Sequence, residues 1–423
     1  MTRFFRLLPL AALLAGTADA QTLTGWAMMP AATFADGPTS AQFAAPNPYG
    51  TNLPPYLNEQ PVQGFSAVLA GPLPNTFHFL VDNGFGTQAN SADSLLRSYT
   101  LKIDWRTRFG GSGTVAPADW KTGRTRSAFD AKTRLQLNDA NHQLGLPIQA
   151  DYTNYYDDAT KPAVDDAIRS GRLLTGADLD TESIRRDPAG HYWFGDEFGP
   201  YLVKTGADGT VLRSVIPLPG VWAPENKDVR AGTATANLPS SGGFEGMAIN
   251  PSGTRLYTLL EKAVTGDAAN LRRLNEFDIA SEAFTGTTWY YPMDPAGSSI
   301  GDMTAVDEHR FIVIERNGGT ATNGTPPFKK LFLIDIEGVA NGGTVAKTEL
   351  VDLMNIADPD DLNGDGSTVF TLPYVTIENV LVLNERTLLV ANDNNFPYGG
   401  GRELASDNTE FLRITLPRRL GKD

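Results

Sequence analysis

Along the chain, apolar residues come in short β-branched and aromatic runs broken every few positions by Gly, Pro, Asn or Asp. Helical periodicity is scarce, and only Ala163 to Leu174 carries amphipathic helical spacing. The pattern predicts an all-β chain. Five segments repeat one plan, in which a small or acidic residue opens a strand, a turn follows, and a second strand ends in an acidic or amide cluster. They run from Gly64-Phe65-Ser66 to Val81-Asp82-Asn83, from Thr181-Glu182-Ser183 to Gly195-Asp196-Glu197, and from Phe244-Glu245-Gly246 to Leu260-Glu261-Lys262. The last two run from Gly301-Asp302-Met303 to Glu315-Arg316-Asn317 and from Ile377-Glu378-Asn379 to Asn392-Asp393-Asn394.

The paired acids Glu182 and Asp196, Glu245 and Glu261, Asp302 and Glu315, and Glu378 and Asp393 stand 14, 16, 13 and 15 residues apart. Two strands and a tight turn fill that distance, and a further strand follows most pairs. Each unit therefore reads as a four-stranded antiparallel blade, and radial repetition of such blades is a β-propeller. A β-sandwich with fortuitous similarity is the alternative. Five blades are visible and six are expected, the sixth from the stretch after Trp105 or from the N-terminal strand pairing with Phe411 to Leu416. Residues 106–178 fit the repeat poorly and read as an irregular insertion carrying Tyr152, Tyr155, Tyr156 and the helical candidate. Residues 21–423 are expected to form one domain.

Composition adds a compartment. Arg3 and Arg6 precede an apolar run from Leu7 to Ala15 and an Ala18-Asp19-Ala20 cleavage site, so residues 1–20 read as a signal peptide, too short to span a membrane. No membrane insertion is expected after cleavage. The chain has no cysteine, so neither a lipoprotein anchor nor disulfides are available. A bacterial periplasm or the outside medium is the expected location. The net charge of −14 argues against nucleic acid and anionic membrane surfaces as partners and suits divalent cations. The same charge would also serve plain solubility.

In a propeller the innermost strands line a central channel, so acids repeated at blade starts and second-strand ends should converge. Asp82, Glu182, Asp196, Glu197, Asp302, Glu378 and Asp393 are the candidate metal ligands, with Glu245, Glu261 and Glu315 as ligands or catalytic base. Ionised together without a cation they would repel one another, and calcium is the natural remedy for an all-oxygen set. Otherwise such acids would hydrogen-bond neighbouring backbone. A second calcium candidate is Asp361-Leu362-Asn363-Gly364-Asp365-Gly366, which matches the first half of an EF-hand-type loop with ligands at Asp361, Asn363 and Asp365. Leu372 occupies the place of the bidentate glutamate, so an Asx-rich turn is the competing reading. Lys262, Arg316 and Arg402 are candidate contacts for an anionic substrate. Gly297-Ser298-Ser299-Ile300-Gly301 matches a nucleophile elbow in form, but it precedes a strand where that motif needs a helix. His78, His142, His191 and His309 form no zinc-binding spacing.

Tyr192-Trp193-Phe194-Gly195-Asp196-Glu197-Phe198-Gly199-Pro200, Gly243-Phe244-Glu245-Gly246-Met247, and Thr376-Ile377-Glu378-Asn379-Val380 before Asn392-Asp393-Asn394-Asn395-Phe396 resemble the phytase-like domain family. The resemblance covers most of the chain and implies a β-propeller from an exported bacterial protein with esterase-like activity. Residues of the alkaline calcium phytase phosphate site are not traceable. The leading expectation is a calcium-dependent hydrolase acting as a monomer on a small anionic phosphate ester. A metal-dependent carboxylesterase and a non-enzymatic calcium-stabilised platform for a sugar, peptide or envelope partner are the alternatives.

Overall fold

The computed structural model describes residues 21–421, so the signal-peptide expectation lies outside the described residues. Those residues form a propeller-like arrangement of four-stranded antiparallel units, of which the first and last are joined into one larger sheet by a parallel bridge between Met28 and Thr114. The first comprises Phe65–Ala70, Thr76–Val81, Arg97–Asp104 and Thr114–Pro117. The second comprises Thr181–Arg186, Tyr192–Asp196, Tyr201–Thr205 and Ile216–Pro217. Phe244–Ile249, Arg255–Leu260, Leu271–Asp278 and Ala283–Pro292 make the third, and Ser299–Ala305, Arg310–Arg316, Lys329–Asp335 and Ala346–Asp352 the fourth. The fifth joins both ends of the chain, with Ile377–Asn384, Thr387–Asn392 and Thr409–Thr415 closed by Thr22–Met29.

The opening strand of each unit packs against the opening strand of the next, and the fifth returns to the first. Strands near the centre are covered on both faces, as in Thr76–Val81, whose six residues are all buried, the polar Thr76 and His78 included. Outer strands such as Ala283–Pro292 keep exposed positions. Aromatic side chains fill the wedges between units: Trp193 meets Phe277 at 5.3 Å, and Tyr257 meets Phe311 at 4.7 Å. The turn Asp187-Pro188-Ala189-Gly190 depends on its glycine, which holds φ at 90°.

The expected pairing of the N-terminal strand with the Phe411 region is observed, antiparallel from Thr22 against Thr415 to Met29 against Thr409 with a bulge at Thr24. It completes the four strands of the fifth unit. The stretch after Trp105 likewise supplies the outer strand Thr114–Pro117 of the first unit.

The irregular stretch is packed against the ring. Leu137, Leu144, Ile148 and Leu174 bury against Ile184, Phe194 and Val203 of the second unit. The helical candidate shrinks to Asp166–Gly171, capped by Asp165 and ended by Arg172 in a left-handed conformation, φ 45°. Among the described residues no helix is long and apolar enough to cross a membrane.

Candidate metal and substrate site

Because the first two strands of every unit form a hairpin, the start of one and the end of the other share one end of the ring. Phe65 pairs with Val81, Thr181 with Asp196, Phe244 with Leu260, Ser299 with Arg316, and Ile377 with Asn392. Each ladder is also interrupted there. The register passes over Ser66 in the first unit, Glu182 in the second, Glu245 in the third and Glu378 in the fifth. A residue left out of the ladder in this way is a β-bulge, which bends the strand and re-aims its side chain. The repeated acids of the sequence are thus bulge residues, and all three are buried.

The fourth unit departs from this plan twice. Its register skips Gly301 and Asp302 together, and its second strand ends in Arg316 where the others end beside acids. Arg316 Nη2 stands 2.8 Å from Glu378, 3.4 Å from Glu245 and 3.5 Å from Glu261. Burial works against its charge, but those three glutamates outweigh burial and hold it protonated. Lys262 Nζ sits 2.6 Å from Glu261 and donates to Ser299 Oγ at 3.1 Å. Arg316 and Lys262 therefore both reach the acidic end.

Two cations do not balance this group. Burial, followed by repulsion from Glu378, Glu197 and Glu261, raises Glu245 well above the usual carboxylate range. Burial and then Asp180 do the same to Glu182, and burial, Glu261 and Asp180 to Glu197. Asp82 is raised by burial, then by Asp393, Asp180 and Glu378. Burial pushes Glu378 up to about 8 against the pull of Arg316, and Asp180 up to about 6. Asp393 is raised by burial despite bonds from Asn395 N at 2.8 Å and Thr376 Oγ1 at 2.9 Å.

Within this end, Asp180, Glu182 and Glu197 present carboxylate oxygens that all lie within 4.8 Å of one another. Asp180 Oδ2 accepts from Asn83 Nδ2 at 2.9 Å, whereas Asp180 Oδ1 and Glu197 Oε1 are buried with no hydrogen-bond partner. Buried acceptors are almost always satisfied, so two orphans in one cluster fit a cation bound between them. An all-carboxylate set suits a hard ion such as calcium, magnesium or manganese. No histidine belongs to the group.

Several expected site residues serve the framework instead. Asp196 accepts from Asp180 N at 2.8 Å and from Gly199 N at 2.7 Å, so both its oxygens hold the loop that carries Glu197. Asp302 pairs with Arg185 of the second unit at 2.8 Å, both fully enclosed, linking units that are not neighbours in the ring. Glu315 points away from the acidic end, where Lys347 Nζ at 2.5 Å, Tyr291 Oη at 2.6 Å and Asp294 N engage it. Arg402 is tied to Glu410 at 2.9 Å and lies over Phe370. In the Asp361 loop the side-chain oxygens accept from the loop's own amides: Asp361 from Gly366 N, Asn363 from Asp365 N, and Asp365 from Ser367 N. That is the Asx-turn arrangement. Ser299 opens a strand, with no helix following it.

Sequence reasoning missed Asp180, Asn83 and Glu225. The alternation Asp178-Leu179-Asp180-Thr181-Glu182 was the available signal for Asp180, since alternate residues of an extended segment share a face. Glu225 comes from a distant loop and acts electrostatically on Asp180.

An uncharacterized secreted protein of Arthroderma benhamiae is 30% identical over 243 residues, covering 50% of this chain and 44% of that protein. The chain thus spans less than half of that relative's length. Among solved structures, a luciferin-regenerating enzyme aligns with a TM-score of 0.35 at 10% identity, covering 94% of this chain and 92% of that one. The PQQ-bound form of an aldose sugar dehydrogenase from Streptomyces coelicolor aligns at 0.32 and 10%, covering 92% and 98%. The profile described as "Phytase-like: Esterase-like activity of phytase" matches residues 60–396, a span that holds every carboxylate of the acidic end. The chain belongs to the phytase-like family.

Proposed function

We propose that this protein is an exported, calcium-dependent hydrolase of phosphate esters, built as a five-bladed β-propeller, with Asp180, Glu182 and Glu197 holding the cation. The observation that carries this reading is the pair of orphaned oxygens, Asp180 Oδ1 and Glu197 Oε1, in a cluster that repels itself without a cation. A bound divalent ion offsets phosphate charge and lowers the pKa of a coordinated water. Arg316 contributes a donor to the ester, because its buried Nε has no partner while its Nη2 faces the three glutamates. Lys262 offers a second positive group beside Glu261. Glu245, 3.4 Å from Arg316 at the acidic end, is assigned as the proton acceptor in the cation-loaded protein, where the ion and Arg316 would offset the neighbouring carboxylates and leave it ionised.

The test is turnover of aryl phosphates and phytate by mature protein with calcium and with chelator. We expect chelator-sensitive hydrolysis that falls at least ~100-fold in Glu197→Gln. Absence of such turnover on every phosphate ester would sink the reading. A non-enzymatic calcium-braced platform draws on a separate observation, namely that Lys262 and Arg316 are already ion-paired. It predicts a fall in Tm on chelation with no hydrolysis. A carboxylesterase at the same cation predicts aryl acetate cleavage that survives Ser299→Ala.

A further inference from the structure

A cavity of about 530 Å³ lies at the turn end of the inner hairpins, within the range of roughly 300–1,000 Å³ usual for small-molecule sites. The opening strands of the first three units finish at Ala70, Arg186 and Ile249, and all three residues line it. Glu182 and Glu245 stand at the other end of those strands. From Glu182 to Arg186, at about 3.3 Å per residue, runs roughly 13 Å of strand, so this cavity is separate from the carboxylate cluster. A shallower depression shares Arg186 and Ile249 with it and continues toward Asn250 and Ala305.

The charge of this wall is one-sided. Lys121 and Arg186 stand in it, both exposed, and neither forms an ion pair among the described residues. No carboxylate belongs to the wall. Asp187, which follows Arg186 in the chain, is already satisfied: Oδ1 accepts from His191 N at 2.9 Å, and Oδ2 meets His191 Nδ1 at 3.1 Å and Trp193 Nε1 at 3.0 Å. Arg186 is placed by aromatic contacts instead. Its guanidinium carbon lies 5.8 Å from the centre of the Tyr192 ring, Tyr192 meets Trp120 at 5.8 Å, and Trp120 meets the His78 ring at 3.9 Å. His78 Nδ1 is 2.8 Å from Thr100 Oγ1, and burial followed by Arg186 pushes the imidazole down to about 4, so at neutral pH it adds no charge. Leu69, Pro72 and Ile249 supply an apolar flank. A lone exposed cation is satisfied by water, but two that share one cavity with an apolar flank and no acid are matched to one kind of ligand. The planar fork of Arg186 suits a carboxylate or a phosphate, which it can engage through two parallel hydrogen bonds.

We infer that this cavity binds a small organic oxyanion, a carboxylate or a phosphate monoester, with its charged head on Arg186 and Lys121 and its apolar body against Leu69, Pro72 and Ile249. The site stands apart from the carboxylate cluster and needs neither a cation nor hydrolysis. Calorimetry on the mature protein in chelator with hexanoate, hexyl phosphate, inorganic phosphate and hexan-1-ol tests it, with hexanoate repeated in calcium. The variants are Arg186→Gln, Lys121→Gln and the two combined. Both positions are exposed, so these proteins are expected to keep the wild-type Tm. We expect hexanoate to bind at least ~10-fold tighter than hexan-1-ol, with each single variant losing at least ~3-fold and the double variant at least ~10-fold of that affinity. Hexanoate affinity should be the same with calcium as with chelator. Binding of either organic anion in this pattern supports the site, and the tighter of the two names its head group. Equal affinity for hexanoate and hexan-1-ol, or wild-type affinity in the double variant, would overturn the inference. So would binding that needs calcium, or no heat from either organic anion up to about 10 mM. Inorganic phosphate should bind at least ~5-fold more weakly than hexyl phosphate, for want of the apolar body, and parity between them would overturn the assignment to an organic ligand.

Discussion

Glu315 and Arg316 are neighbours in one strand, and their side chains leave it on opposite faces. Glu315 meets Lys347 and Tyr291 between outer strands, while Arg316 meets three glutamates at the acidic end. Removing the Arg316 guanidinium would leave those glutamates facing one another. Arg316→Met is therefore expected to destabilise metal-free protein by about 3–5 kcal/mol, the usual cost of breaking a buried pair from one side. Denaturant unfolding in chelator measures this, and wild-type stability in that variant would contradict the shared-cation arrangement. Glu315→Gln should leave the response to calcium unaltered. The sequence made the acids visible because they repeat, but it could not say which of two adjacent residues faces inward. That choice depends on the register of a strand against its neighbour. The ion pairs of Asp302 and Arg402, both named as site candidates, were hidden for a related reason: their partners, Arg185 and Glu410, are fixed by tertiary placement and not by spacing.

At the scale of elements, the inward aim of Glu182, Glu245 and Glu378 comes from the bulge that recurs at the head of each hairpin. The hairpins themselves were readable from alternating apolar runs and turn residues. The bulges were not, since a single unpaired residue leaves no periodic trace. The Asp361-Leu362-Asn363-Gly364-Asp365-Gly366 turn shows the converse, a motif whose residues suit calcium but whose oxygens are already occupied by backbone amides. Asp361→Ala combined with Asp365→Ala should leave the calcium-induced shift in Tm within about 1 °C of wild type, whereas Glu182→Gln should abolish most of it. Differential scanning fluorimetry with and without calcium separates the two, and the reverse ranking would move the cation to the turn. The helix fell short of its predicted span because Gly171 and the left-handed Arg172 end it after six residues.

For the molecule as a whole, the carboxylate cluster sets how stability follows pH. Asp180 and Glu378 have folded pKa values of about 6 and about 8, above their ordinary 3.8 and 4.5. Between those limits the folded chain binds more protons than the unfolded one, so metal-free stability should fall as pH rises from 5 to 8. If calcium binds the cluster as proposed, it would replace those protons, and its stabilisation should grow over the same interval. Melting curves at pH 5, 6, 7 and 8 in chelator and in calcium check both slopes, and a calcium shift that shrinks with pH would refute the cluster as the binding site. The ring closure through Thr22–Met29 bears on how such a molecule is made. Trp26 Nε1 donates to Glu410 Oε1 at 3.0 Å, across almost the entire chain. Hairpins within a unit are local and can form early, but the fifth unit must wait for residues 409–415, the slow step expected of so distant a pairing. Until then the first-made strand and the last unit each present an unpaired edge, the surface on which β proteins aggregate. Pulsed hydrogen exchange during refolding should show the amides of Trp26 to Met29 among the last protected, after those of Thr76–Val81. Between emergence and closure, the chain is an open row of hairpins whose survival depends on how quickly its two ends meet.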